Sequence, residues 1–75
     1  MRIINKINNK AVIYYNNEFY LVSESDGPHS GLETLVFRCD PTGYVSSYMD
    51  VGGGRGLTLN QVLNNIETYM YSCEG

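Results

Sequence analysis

The chain has 75 residues, with five basic and eight acidic side chains giving a formal net charge of −3, and it carries seven tyrosines, two phenylalanines and no tryptophan. One domain of this size buries only about 60% of its unfolded surface, so association with itself or with a partner is a standing expectation. The charge balance speaks against nucleic acid as a ligand, because a phosphate backbone rewards clustered lysine and arginine, and no stretch approaches the ~20 apolar residues of a membrane span.

Residues 2–10 mix Ile3, Ile4 and Ile7 with asparagine and lysine and read as a short edge strand or an arm. No apolar run follows them, so a secretory signal is not expected and the protein is expected to act in a cytosol. Ala11–Tyr15 and Glu18–Ser23 are two β-prone runs separated by Asn16-Asn17. Asparagine tolerates the positive φ that a two-residue hairpin turn demands, so Tyr15 should face Glu18, Tyr14 Phe19, Ile13 Tyr20 and Val12 Leu21. Ser23–Gly31 is polar and punctuated by glycine and proline, and reads as a surface loop joining two hairpins. The only histidine, His29, lies there without neighbours at ligand spacing.

The clearest hairpin signal covers Leu32–Met49, where two β-branched and aromatic flanks surround Asp40-Pro41-Thr42-Gly43. Aspartate first, proline second and glycine fourth suit a type I turn closed by a left-handed glycine bulge. The register then sets Cys39 opposite Val45, Phe37 opposite Ser47 and Leu35 opposite Met49. After the run Gly52–Gly56, with Arg55 inside it, a helix start is well marked: Thr58 and Gln61 have capping-box spacing, and Leu57 can staple onto Val62. Leu59, Val62, Leu63, Ile66, Met70 and Cys73 then repeat at the spacing of one helical face.

Assembled, residues 1–75 form one α+β domain, an antiparallel four-stranded meander with a single C-terminal helix on one face. The expected covered face carries Val12, Tyr14, Phe19, Leu21, Leu35, Phe37, Cys39, Val45 and Met49. The other face, with Ile13, Tyr15, Tyr20, Val22, Val36, Arg38 and Tyr48, is left without a helix, and such a patch on a small protein marks an interface. Tyr15, Tyr20, Arg38 and Tyr48 are its expected partner-binding residues, as aromatic anchors with one bidentate cation.

No nucleophile with a base, no carboxylate pair on one strand face and no metal spacing is visible, so a non-enzymatic protein without a cofactor is expected. Cys39 and Cys73 fall at apolar positions in no redox spacing and read as buried free thiols. One run has ligand chemistry open to it. Gly53, Gly54, Arg55 and Gly56, with Thr58 at the helix start, could turn amides and a positive charge toward a phosphate or nucleotide. The run lacks the lysine and hydroxyl of a P-loop, and a flexible connector between strand and helix is the plainer reading.

Tyr20-Leu21-Val22-Ser23, Glu33-Thr34-Leu35-Val36-Phe37, Cys39-Asp40 and the Gly43-x-Val45 step together resemble a class of small bacteriophage accessory proteins over about residues 11–48. The chain departs from that pattern after Tyr48, where the glycine run replaces an aromatic strand end. The resemblance implies a phage product in the host cytoplasm, a group in which inhibitors of host defence, anti-CRISPR proteins among them, are frequent. The expected function is therefore blockade of a host protein, with phosphate or nucleotide sequestration by an oligomer as the alternative.

Overall fold

A computed structural model describes residues 1–71. It is α+β, with strands β1 (Arg2–Ile7), β2 (Lys10–Tyr15), β3 (Glu18–Gly27), β4 (Gly31–Arg38) and β5 (Asp50–Arg55), then helices α1 (Leu59–Asn64) and α2 (Ile66–Tyr69). The sheet has five antiparallel strands in sequential order, one more than the four expected: Arg2–Ile7 takes the edge-strand option of the two open to it, and Asp50–Arg55 stands in place of the expected strand Tyr44–Met49.

The turn chemistry explains the first hairpins. Asn8, Asn16 and Asn17 have φ of 54°, 52° and 68°, the left-handed values that asparagine reaches at small cost. Across Asn16-Asn17 the pairs are Tyr15 with Glu18, Tyr14 with Phe19, Ile13 with Tyr20 and Val12 with Leu21, in the expected register. The expected loop at Ser23–Gly31 is mostly strand instead: Ser23 pairs with Leu35, Ser25 with Glu33 and Gly27 with Gly31, leaving residues 28–30 as the connection. Polar side chains there mark sheet beyond the core rather than an irregular loop. Glu24 is held from a third direction, since its amide donates to the Asn9 carbonyl at 2.8 Å.

The largest departure is the partner of β4. The Asp40–Tyr44 turn closes as expected, with the Gly43 amide on the Asp40 carbonyl at 2.9 Å and the Asp40 amide on the Tyr44 carbonyl at 3.0 Å. Strand pairing then stops, and Tyr44–Met49 is not a strand. β4 pairs with the glycine run: Val36 faces Gly52, Leu35 faces Gly53 and Thr34 faces Gly54, with a bulge at Val51. The glycines are therefore a strand and not a connector.

That pairing decides where the helices lie. On the face shared by Val36, Gly52 and Gly54, a Cβ on Gly52 would sit 2.7 Å from the Tyr69 carbonyl oxygen and one on Gly54 would sit 3.2 Å from Leu57. A face without side chains lets helix backbone approach the sheet. Leu59, Val62, Leu63 and Ile66 pack there on Ala11, Ile13, Tyr20, Val22 and Val36 to make the core. This is the face expected to be free; the helices cover the opposite side from the one the hydrophobic pattern suggested. The helical stripe, the Thr58–Gln61 capping box and the placement of Met70 against the core are as read from sequence, but the helix breaks at Asn65 into two short pieces. Cys73 lies outside the described residues.

Two polar contacts pin the helical layer. The fully buried Thr34 hydroxyl donates to the Leu57 carbonyl at 2.7 Å, and the Leu59 amide donates to the Glu24 carboxylate at 2.7 Å. Thr34→Val leaves a carbonyl without its donor and should cost about 1–3 kcal/mol in urea denaturation. Gly53 combines φ of 101° with a Cβ position only 2.0 Å from the Thr34 carbonyl oxygen, whereas Gly31, at φ 73°, has open space. Gly53→Ala should therefore destabilise by at least about 3 kcal/mol and Gly31→Ala by about 1–2, read as a shift in urea midpoint at constant slope.

Candidate functional site

The face left without a helix carries Val12, Tyr14, Phe19, Leu21, Leu35 and Phe37, placed together by the alternation of β2, β3 and β4. All but Phe37 keep part of their surface accessible, and Tyr14 leans on Phe19 with ring centroids 5.0 Å apart. Its partial cover is residues 39–49, the segment between β4 and β5. Gly43 sits against Val12, with space for no Cβ (2.9 Å to a Val12 methyl), and the Tyr48 ring meets Phe37 edge-on at 5.2 Å. Val45 is buried, yet Tyr44, Tyr48 and Met49 stand 68%, 74% and 75% exposed. Three large side chains thus project from a segment that has already folded over an apolar face. Between that segment and the β1–β2 turn lies a cleft of about 480 Å³, with Ile7, Lys10, Val12, Leu21, Gly43 and Tyr48 in its wall.

Asp40 holds the cover in place. Its carboxylate accepts the Thr42 hydroxyl at 2.6 Å, the Thr42 amide at 2.8 Å and the Tyr44 amide at 3.0 Å. The Thr42 hydroxyl foremost, then the Tyr44 amide, pull its pKa below the usual aspartate value. Neighbouring Cys39 moves the other way, its thiol raised first by burial and then by the Asp40 charge, so it is a poor nucleophile at neutral pH.

Of the expected partner-binding residues, Tyr15, Tyr20 and Arg38 come together, but on the helix-covered side. They line a shallow cleft of about 260 Å³ with Glu18, Val51 and Met70. Tyr20 is 4% exposed and cannot be a surface anchor. Burial first, and the adjacent Glu18 charge second, raise its phenol pKa. Arg38 lies 3.6 Å from Glu18 as an exposed ion pair. Only Tyr48 stands on the helix-free side, and it gets there through the covering segment, not through a strand. Sequence reasoning missed Tyr14 and Phe19 as accessible residues because it gave their face to the helix.

The expected anion site is also rearranged. Gly53 and Gly54 are strand residues opposite Leu35 and Thr34, the Gly56 amide donates to the Leu32 carbonyl at 2.7 Å, and Arg55 lies 3.9 Å from Glu33. At the helix start the Gln61 amide is taken by the Thr58 hydroxyl and the Leu59 amide by Glu24. The protein supplies its own carboxylate where a phosphate would have sat. Among the described residues, no group of three histidine, cysteine, aspartate or glutamate side chains could hold a metal, and no helix is long and apolar enough to cross a membrane.

No protein family, curated protein or solved structure matches this chain.

Because the folded pKa of Asp40 lies below its unfolded value of about 3.9, the turn's contribution is present above that pH and is lost as pH falls through the lower folded value. The Thr42 and Tyr44 amide resonances should therefore stay in place down to about pH 4 and move only on further acidification. In Asp40→Asn that acid transition should vanish from the NMR titration.

Proposed function

We propose that this chain is a non-enzymatic binding protein that engages a partner through the helix-free sheet face and the segment 39–49 folded on it. The observation that carries this reading is the unequal treatment of the two faces. One is sealed by α1 and α2, while the other keeps Val12, Tyr14, Phe19, Leu21 and Leu35 partly accessible beneath exposed Tyr44, Tyr48 and Met49. Tyrosine and methionine projecting over an apolar floor suit an interface, since each adds large contact area and the phenols keep a polar tip. Relative to the sequence-based expectation the surface moves to the other side of the sheet, and Tyr48 is the residue common to both.

The strand-and-turn resemblance to small phage accessory proteins supplies the setting: a phage product in the host cytoplasm whose partner is a host protein, a defence component foremost. The reading is tested by expressing the chain in bacteria that carry a CRISPR–Cas system and measuring phage plating. Plating should rise, and Tyr14→Ser with Tyr48→Ser should reverse that rise by at least about tenfold while moving the melting temperature by no more than about 4 °C. No effect on plating would remove the defence-inhibitor reading. A stable dimer by light scattering, dissociated by the same two substitutions, would assign the face to a second copy.

A further inference from the structure

The two edges of the sheet are finished differently. Along β5 the chain covers its own edge at Val51 and Gly52: Gly52 bridges Met70, and the Tyr71 amide donates to the Val51 carbonyl at 2.9 Å. Along β1 nothing among the described residues pairs with the outer side. All six residues of β1 are exposed, including Ile3, Ile4 and Ile7 at 46%, 44% and 62%. An open edge presents alternating amides and carbonyls to any strand that can reach it.

Charge says which strand that is. Residues 1–17 contain Arg2, Lys6 and Lys10 and no carboxylate, although the chain as a whole is acidic. The two other basic residues, Arg38 and Arg55, lie beside Glu18 and Glu33, whereas Arg2, Lys6 and Lys10 have no ion-pair partner among the described residues. Lys6 reaches only the neutral Asn60 side chain, at 3.0 Å. The unneutralised positive charge is thus gathered on the uncovered β1 edge and the strand beside it. A second copy docking edge to edge would set two cations of the paired β1 strands on each side of the sheet without an anion, which opposes self-pairing. A phosphate backbone offers acceptors only, and would leave the outward carbonyls and the three isoleucines unmatched.

We propose that the open edge of β1 is a strand-addition site for an extended segment of a partner protein in which acidic residues alternate with apolar ones. Main-chain pairing supplies the docking. The bulge at Ile4 sets Arg2 on the helix-free side of the sheet and Lys6 on the helix side, so the carboxylates of an alternating segment meet one of these cations. Its apolar residues lie on the other side, beside Ile3 when the carboxylates meet Arg2 and beside Ile7 when they meet Lys6. This site adjoins the cleft of the helix-free face at Ile7 but lies on the outer backbone edge of β1, and it does not rest on the reading of that face as an interface.

The test uses the full chain and a fluorescent eight-residue peptide alternating valine with glutamate, beside versions with glutamine or lysine in place of glutamate, and a short oligothymidylate. The acidic peptide should bind below about 1 mM, at least about tenfold more tightly than the glutamine peptide, with the advantage shrinking as salt rises. Hydrogen exchange should slow at amides within Arg2–Ile7. The double variant Arg2→Glu with Lys6→Glu, both on exposed positions, should lose the acidic peptide and take up the lysine one. The proposal fails if the acidic peptide has no advantage over the glutamine peptide. It fails equally if oligothymidylate binds as well, if protection appears on other elements, if the charge-reversed variant binds unchanged, or if β1 amides become protected by concentration alone.

Discussion

The fold turns on the contact between helix backbone and a strand that has almost no side chains. Gly52 lies beneath Tyr69 and Met70 at a distance no Cβ would permit, and Gly53 is pressed onto β4 at a positive φ. With those residues in β5, the helical layer can settle at backbone range on one side of the sheet, and Leu59, Val62, Leu63 and Ile66 reach the strands beneath. The candidate surface follows from that choice of side. The face opposite has to be managed without a helix, and residues 39–49 do so incompletely.

Polar chemistry is placed to support this choice. Thr34 and Glu24, on two different strands of the covered face, hold the approach to α1 by its last loop carbonyl and its first amide. On the other side Asp40 gathers three donors and keeps the covering segment in one conformation. A small domain gains little from surface charge pairs, and the two exposed pairs of Arg38 and Arg55 are of that kind. The buried and multiply bonded groups are where a single substitution is felt.

Local signals were legible in the sequence and the choice of face was not. The Asn16-Asn17 turn, its register, the Asp40–Gly43 turn and the Thr58–Gln61 cap are each decided within a few residues, and each is present. Both faces of β2, β3 and β4 are apolar enough to be core, so alternation alone could not say which one a helix covers. The deciding information lay in Gly52–Gly54, read as a connector because glycine is depleted in strands and weakens them. The same error displaced Tyr15, Tyr20 and Arg38 from a free face to the helix side and hid Tyr14 and Phe19. Ser23–Gly31 failed for a related reason: polar residues there pair at the far end of a long hairpin, where no core demands apolar ones.

The sheet order β1-β2-β3-β4-β5 has every strand beside its neighbour in sequence. Such a chain can build its sheet one hairpin at a time, closing short loops before long ones, and low average contact separation goes with rapid folding. The exception is the connection from β4 to β5, which spans residues 39–49. β5 and the helices behind it therefore arrive as the last pieces, both in synthesis and in loop closure. Until they do, the surface of Ile13, Val22 and Val36 lies open, so the brief life of the unfinished chain, more than its finished state, is when this protein is most exposed to aggregation.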